Sequence, residues 1–306
     1  MMCRRTVCSL EIRRRVMKIL LFGKNGQVGW ELRRTLAPLA DVVAVDYPEV
    51  NFTDPAALQR LVAETRPTVV LNAAAYTAVD KAESEPDLCQ QINGVAPGAL
   101  AEAAGKAGAL MVHYSTDYIF DGTKTSPYVE TDAPRPLGAY GRSKLEGDRA
   151  VRASGADHLI FRLCWVYGAR GLNFMLTMRR LAREREQLRV VGDQFGCPTW
   201  ARMIAGATAL ALQRVLTGSD RSAYNGEYHL AAAGQASWHE FASRIIEWMP
   251  EADRKCRAVE RITTREYPTP ARRPAYSVLD CAKLRQTFGL QLPPWEASLR
   301  QVLDQP

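Results

Sequence analysis

Paired cysteines, clustered histidines and long apolar runs are what this chain lacks. Its seven cysteines (3, 8, 89, 164, 197, 256 and 281) form no CxxC pair and stand apart from its four histidines. Neither a zinc site nor a disulfide framework is expected from such a scatter, and reduced thiols point to the cytoplasm. No stretch reaches the ~18 consecutive apolar residues needed to cross a bilayer, so no membrane partner is expected. Charge of one sign is scarce too. The formal charge is +7 over 306 residues, but Arg4, Arg5, Arg13, Arg14 and Arg15 against Glu11 put +4 of it into the first 16, leaving +3 for the rest. A body so nearly neutral offers a nucleic acid no electrostatic footing. The first 16 residues also lack the apolar core of a secretion signal. They are expected to be a disordered basic extension, or to lie upstream of a true start at Met17.

What is present is an alternation of short apolar runs with helical patterns, the mark of a doubly wound parallel α/β sheet. Strands are expected at 18–22, 42–45, 68–71, 110–114 and 158–161. The helices between them are expected at 28–39, 55–65, 96–107 and 140–153. Asp54 caps the second helix, with Pro55 at its first position, where a missing N–H costs nothing. Beyond Gly168 the spacing loosens, with helical stretches at 174–186, 203–215 and 238–249 and strand-like ones at 188–191 and 227–230. A Rossmann-type nucleotide-binding domain is therefore expected over 17–168. A smaller substrate-facing domain is expected over 169–306, with a helix and strand at about 203–230 returning to the first.

Two constellations carry chemistry. Gly23-Lys24-Asn25-Gly26-Gln27-Val28-Gly29 joins the first strand to the first helix, where glycines let backbone approach a pyrophosphate and the helix N-terminus offers free N–H groups. Asp46, at the end of the second strand, lies where an acid can accept from an adenosine ribose. The second constellation is Tyr140-Gly141-Arg142-Ser143-Lys144, preceded by Tyr114-Ser115-Thr116-Asp117-Tyr118. An i, i+4 spacing places phenol and ammonium on one helix face, and Thr116 follows a strand end, the edge where open α/β sheets bind ligands. Lowering a phenol from pKa ~10 to ~7 needs roughly 4 kcal/mol. One cation at ~4 Å in an effective dielectric of ~20 supplies about that much.

The combination of GxxGxxG, Asn72-Ala73-Ala74-Ala75, Ser115-Thr116-Asp117 and YxxxK resembles the extended short-chain dehydrogenase/reductases, over nearly the whole chain from residue 17. The segments 72–83, 161–167, 193–196 and 267–274 narrow the likeness to members that reduce a dTDP-linked 4-keto sugar in rhamnose synthesis. The resemblance implies NADH or NADPH as cofactor, Tyr140 as proton donor, Lys144 as its partner and ribose ligand, and Thr116 as a hydrogen-bond donor to the substrate ketone. It places Gly26, Gln27, Val28, Asp46, Phe52, Ala75, Tyr76, Thr77 and Tyr114 against the cofactor, and Asp117 and Trp165 against the sugar nucleotide. A carboxylate at Asp46 favours NADH or dual use over strict NADPH dependence. Arg273 is assigned to the substrate diphosphate, although its loop could instead pin itself to a neighbouring carboxylate. The resemblance further implies a homodimer whose relatives hold magnesium through three glutamates. Here Glu31 matches the first, Arg202 falls on the second and Gln305 lies near the third, so a metal-free contact between Arg202 and Glu31 is expected.

Two other functions share this fold. A non-catalytic regulatory subunit would commonly have lost the Thr116, Tyr140 and Lys144 set. The other is a nucleotide-sugar epimerase or 4,6-dehydratase; a dehydratase would carry Asp-Glu after the threonine, where this chain has Asp117-Tyr118. His113, beside the strand end, is expected to be a packed, hydrogen-bonded residue and not a base.

Overall fold

The computed structural model describes residues 17–304, so the basic extension and Gln305 lie outside the described residues. Five strands, β1 (Lys18–Phe22), β2 (Asp41–Val45), β3 (Val69–Asn72), β4 (Leu110–Thr116) and β5 (His158–Leu163), build a parallel sheet with the late strand Gly226–His229. From one edge the order is Gly226–His229, β5, β4, β3, β1, β2. β1, β3, β4 and β5 are buried almost throughout. That is why each appears in the sequence as a continuous apolar run and not as an alternation.

Helices cover both faces. On one, α1 (Gln27–Leu36) lies beside the helix Ala201–Thr217, over Ile19, Leu21, Leu71, Val112 and Phe161. On the other, α2 (Pro55–Thr65) and the alanine-rich helix Ala96–Ala107 cover Leu20, Phe22, Val70, Met111 and Ile160. Asp54 accepts a hydrogen bond from Ala57 N at 3.0 Å, capping α2 as its sequence indicates. The helix Ala139–Ala153 packs beside the alanine-rich helix. At their crossing, a Cβ added to Gly98 would lie 2.9 Å from the Ala150 methyl.

A separate apolar core joins the helices Phe174–Glu184, Trp238–Glu247 and Trp295–Leu303 around Met175, Trp200, Phe241 and Leu299. Beside it Gln187–Val191 pairs in parallel with Ala258–Ile262. The latter strand leaves no apolar run in the sequence, because most of its residues are exposed. Among the described residues, no helix is long and apolar enough to cross a membrane.

Candidate active site

The chain reverses direction across the sheet between β1 and β3, so the loops leaving these strands part to opposite faces and open a crevice at their C-terminal ends. The glycine turn and the 73–77 loop form its walls. Gly23 has φ +85°, and a Cβ there would lie 2.5 Å from Ala74 N. A Cβ on Gly29 would lie 2.0 Å from Gly23 O. Side chains are thus excluded where the first turn of α1 meets the strand ends. No side chain caps α1, whose N-cap is Gly26, and its first N–H groups keep their polarity toward the crevice. These are the features that a dinucleotide pyrophosphate requires, and the turn fits one. Gln27 ties the turn to the second half of the chain, accepting from Asn173 Nδ2 at 3.0 Å and donating to Val166 O at 3.4 Å.

Thr116 ends β4, and Tyr140 and Lys144 lie on the helix Ala139–Ala153. This helix starts where Glu83 accepts from Ala139 N at 2.7 Å, and it lies close to the residues after β4 because position 141 is glycine. A Cβ on Gly141 would fall 2.2 Å from Tyr118 O. Gly141→Ala should therefore cost about 1–3 kcal/mol through overpacking, seen as a lower midpoint in urea unfolding; an unchanged midpoint would show that the helix can shift freely. The Tyr140 ring stands edge-on to Tyr118, with centroids 5.9 Å apart. Burial raises the Tyr140 pKa above the usual phenol value, with the Thr116 hydroxyl acting in the opposite direction. The phenol is thus held protonated, as a proton donor must be.

Lys144 departs from expectation. Its ammonium makes no hydrogen bond to the phenol and lies against β4 instead. Nζ donates to Tyr114 O at 2.6 Å and lies 3.2 Å from His113 Nε2, and the residue is 1% exposed. The i, i+4 spacing sets the two side chains on one face, but the longer one runs down onto β4 beneath the helix. Burial lowers the Lys144 pKa to about 8, partly opposed by Asp148. Beneath Lys144 lies a polar layer that the motifs did not reveal. Asn72 Oδ1 accepts from Ala74 N, which turns its Nδ2 toward His113 Nδ1 at 3.2 Å. Asp148 accepts from Ser115 Oγ at 2.8 Å and lies 3.6 Å from Arg162 Nε. His113 is fully buried here, as a packed histidine should be, and burial drives its pKa well below normal. Asp148 could have been found in the sequence, since Tyr140, Lys144 and Asp148 recur at four-residue steps on one helix face.

Several assignments are redirected by the structure. The Tyr114 side chain, assigned to the cofactor, points into the core below the sheet and bonds Thr208 Oγ1 at 2.8 Å; only its carbonyl reaches Lys144. Phe52 is likewise covered, edge-on to Phe22. Asp117, assigned to the sugar nucleotide, turns inward and accepts from Thr116 Oγ1 at 3.1 Å, Ser277 Oγ at 2.5 Å and Cys164 Sγ at 3.2 Å. Arg273, assigned to phosphate, forms a two-pronged ion pair with Asp80 at 3.0 and 2.8 Å, because the short helix Val79–Ala82 brings that carboxylate to the proline-rich loop.

Tyr76 N and O bind the Asn93 amide at 2.8 and 3.0 Å, fixing the 73–77 loop that carries Ala75 and Thr77. The Tyr76 hydroxyl donates to Glu85, which pushes its pKa up to about 12. Val28 is half-buried on α1, and Asp46 accepts from Asn25 N at 2.9 Å. Trp165, at φ +44°, stacks on Trp238 with centroids 3.4 Å apart and lies against Gly196. Trp238 had no signal of its own, since an aromatic at a helix start looks like core.

Asp117 also supplies a pH test. Burial raises its pKa to about 6 in spite of its three donors. A carboxyl at ~3.9 in the unfolded chain holds its proton less tightly than this, so its stabilising contribution is full below about pH 4 and is lost as the pH rises toward 6. Asp117→Asn should remove that slope. The difference in unfolding free energy between variant and parent should therefore move in the variant's favour from pH 4 to 7, and a difference independent of pH would contradict the assignment.

A parallel sheet with a glycine turn after its first strand, a threonine at the end of β4 and a Tyr–Lys helix above it defines a Rossmann-type oxidoreductase of the short-chain class. The chain belongs to the RmlD substrate binding domain family, which matches residues 17–306. It is 52% identical to a dTDP-4-dehydrorhamnose reductase of Burkholderia thailandensis, over 91% of this chain and 95% of that one. It is 46% identical to the Escherichia coli K12 enzyme of the same name, over 94% and 98%. The solved structure of dTDP-4-dehydrorhamnose reductase from Bacillus anthracis in complex with NADP superposes with a TM-score of 0.87 at 35% identity, covering 94% of this chain and 99% of that one.

Proposed function

We propose that this protein reduces dTDP-4-dehydro-β-L-rhamnose to dTDP-L-rhamnose with NADH or NADPH, in the cytoplasm, for cell-surface polysaccharide synthesis. The observation that carries this reading is the Thr116 hydroxyl at the end of β4 meeting the Tyr140 phenol on the helix above it, in a chain 52% identical to a dTDP-4-dehydrorhamnose reductase. The glycine turn would hold the pyrophosphate of a reduced nicotinamide dinucleotide, and such a cofactor would supply the hydride for the C4 carbon. Tyr140 donates its proton to the C4 oxygen. The Thr116 hydroxyl, which donates to Asp117 Oδ1 in this structure, would turn to donate to the same oxygen. The Tyr140 phenolate then recovers a proton from the Lys144 ammonium, which reloads from solvent. A lysine with a pKa of about 8 is still mostly charged at neutral pH and gives up its proton readily.

Residues 169–304, apart from the helix and strand at about 203–230, are proposed to form the sugar-nucleotide side of the crevice, with Trp238 stacked on Trp165 as an aromatic wall. Reduced, buried cysteines support the cytoplasmic assignment. The test is to mix the protein with the dTDP-4-keto-6-deoxy sugar and reduced cofactor, follow the nicotinamide absorbance and identify the sugar by NMR. Oxidation of cofactor with formation of dTDP-L-rhamnose is expected. A stable absorbance with both cofactors would overturn the reading.

Metal dependence is a further expected outcome. Arg202 Nε lies 3.3 Å from Glu31 Oε2, putting a guanidinium beside the carboxylate that would otherwise attract magnesium. Treatment with EDTA should leave turnover and sedimentation unchanged; loss of either, restored by magnesium, would contradict this.

A further inference from the structure

We propose that Glu49 sets the cofactor preference of this reductase toward NADH by occupying the Lys24 ammonium beside Asp46 with an ion pair. The inference rests on the proposed cofactor reading and deepens it. Phe22 of β1 and Val45 of β2 are register partners, and Gly23 N and Lys24 N both donate to Val45 O at 3.0 and 3.4 Å, so Lys24 and Asp46 leave the sheet side by side. Lys24 is the only basic residue of the glycine turn. A lone ammonium in this place could receive the 2′-phosphate that distinguishes NADPH.

It is not alone. Lys24 Nζ lies 2.6 Å from both carboxylate oxygens of Glu49, and Glu49 Oε2 also accepts from Asp46 N at 3.2 Å. The contact with Lys24 holds the Glu49 carboxyl below the usual carboxylate range, so it is charged wherever the enzyme works. Asp46, Glu49 and Lys24 together carry one net negative charge. A phosphate monoester with close to two negative charges is repelled by that group. A ribose diol is suited to it: the Asp46 carboxylate uses two of its roughly four acceptor positions on Asn25 N and Tyr47 N, leaving the others for hydroxyls.

Glu49 is half exposed and its ion pair lies at the surface, where such pairs contribute little to stability. Its removal should therefore leave the fold intact and change recognition. With Gln at 49, the turn keeps its hydrogen-bonding shape, the net charge rises from −1 to 0, and Lys24 is released toward the phosphate.

The experiment measures dissociation constants of NADH and NADPH by calorimetry, without sugar nucleotide, for the parent, Glu49→Gln, and Glu49→Gln combined with Lys24→Met. The parent should bind NADH more tightly than NADPH. Glu49→Gln should tighten NADPH by about 5-fold, the scale of one exposed charge pair, while NADH changes by less than about 2-fold; the added Lys24→Met should abolish the gain. A parent that prefers NADPH would overturn the proposal, as would a Glu49→Gln variant whose two constants move together or not at all. Binding of neither dinucleotide would overturn the cofactor reading as well. The predicted binding ratios in a protein inactive on the sugar would leave Glu49 in its role and refute only the substrate.

Discussion

Tyr140→Phe should bind NADH and sugar nucleotide as the parent does and lower kcat by about 10²–10⁴, the usual contribution of a positioned general acid. The phenyl ring keeps its edge-on contact with Tyr118, and only the hydroxyl is lost. Burial keeps that hydroxyl protonated until the ketone oxygen begins to gain charge. The loss should therefore appear in kcat and kcat/KM alike, with KM nearly constant, as when an interaction made only in the transition state is removed. Stopped-flow single turnovers would show it directly. A rate within about 3-fold of the parent would remove Tyr140 from the role of acid.

Lys144→Met should be nearly as severe, lowering kcat by about 10²-fold and weakening cofactor binding, because the proposed role of this one ammonium is both to reload the phenol and to hold the cofactor ribose. The methionine keeps most of the buried stem, so the packing against β4 survives. Tyr114 O and His113 Nε2 lose their partner at 2.6 and 3.2 Å, which should also lower stability by about 1–3 kcal/mol. Thermal unfolding separates that loss from the catalytic one. The double variant with Tyr140→Phe should be little slower than either single variant, since residues that act as a unit are not additive. Additive losses would mean that Lys144 works apart from the phenol.

The central sheet was legible because parallel strands buried on both faces carry unbroken apolar stretches, as at 19–22 and 159–161. The glycine turn and the Tyr140–Lys144 spacing were legible for the same kind of reason, since each is a local pattern. What the sequence hid depends on contacts between residues distant along the chain. Nothing near Arg273 announces Asp80, which lies 193 residues away and takes its guanidinium. Nothing near Thr116 announces Ser277, which holds the neighbouring Asp117 inward. Lys144 is the instructive case. Its position on the helix face was readable, but the destination of its ammonium was decided by His113 and a carbonyl on the strand beneath. Glu49 was overlooked because an acid in an exposed turn looks like any other until Lys24 is found on it.

The most direct test of the central claim follows the hydride. Reduced cofactor carrying deuterium at the transferable position is incubated with enzyme and dTDP-4-dehydro-β-L-rhamnose, and the product is examined by NMR. The predicted result is one deuterium at C4 of dTDP-L-rhamnose, formed by the parent and suppressed by about 10²-fold or more in Tyr140→Phe. Deuterium at any other carbon, or equal labelling by the parent and the variant, would contradict the account.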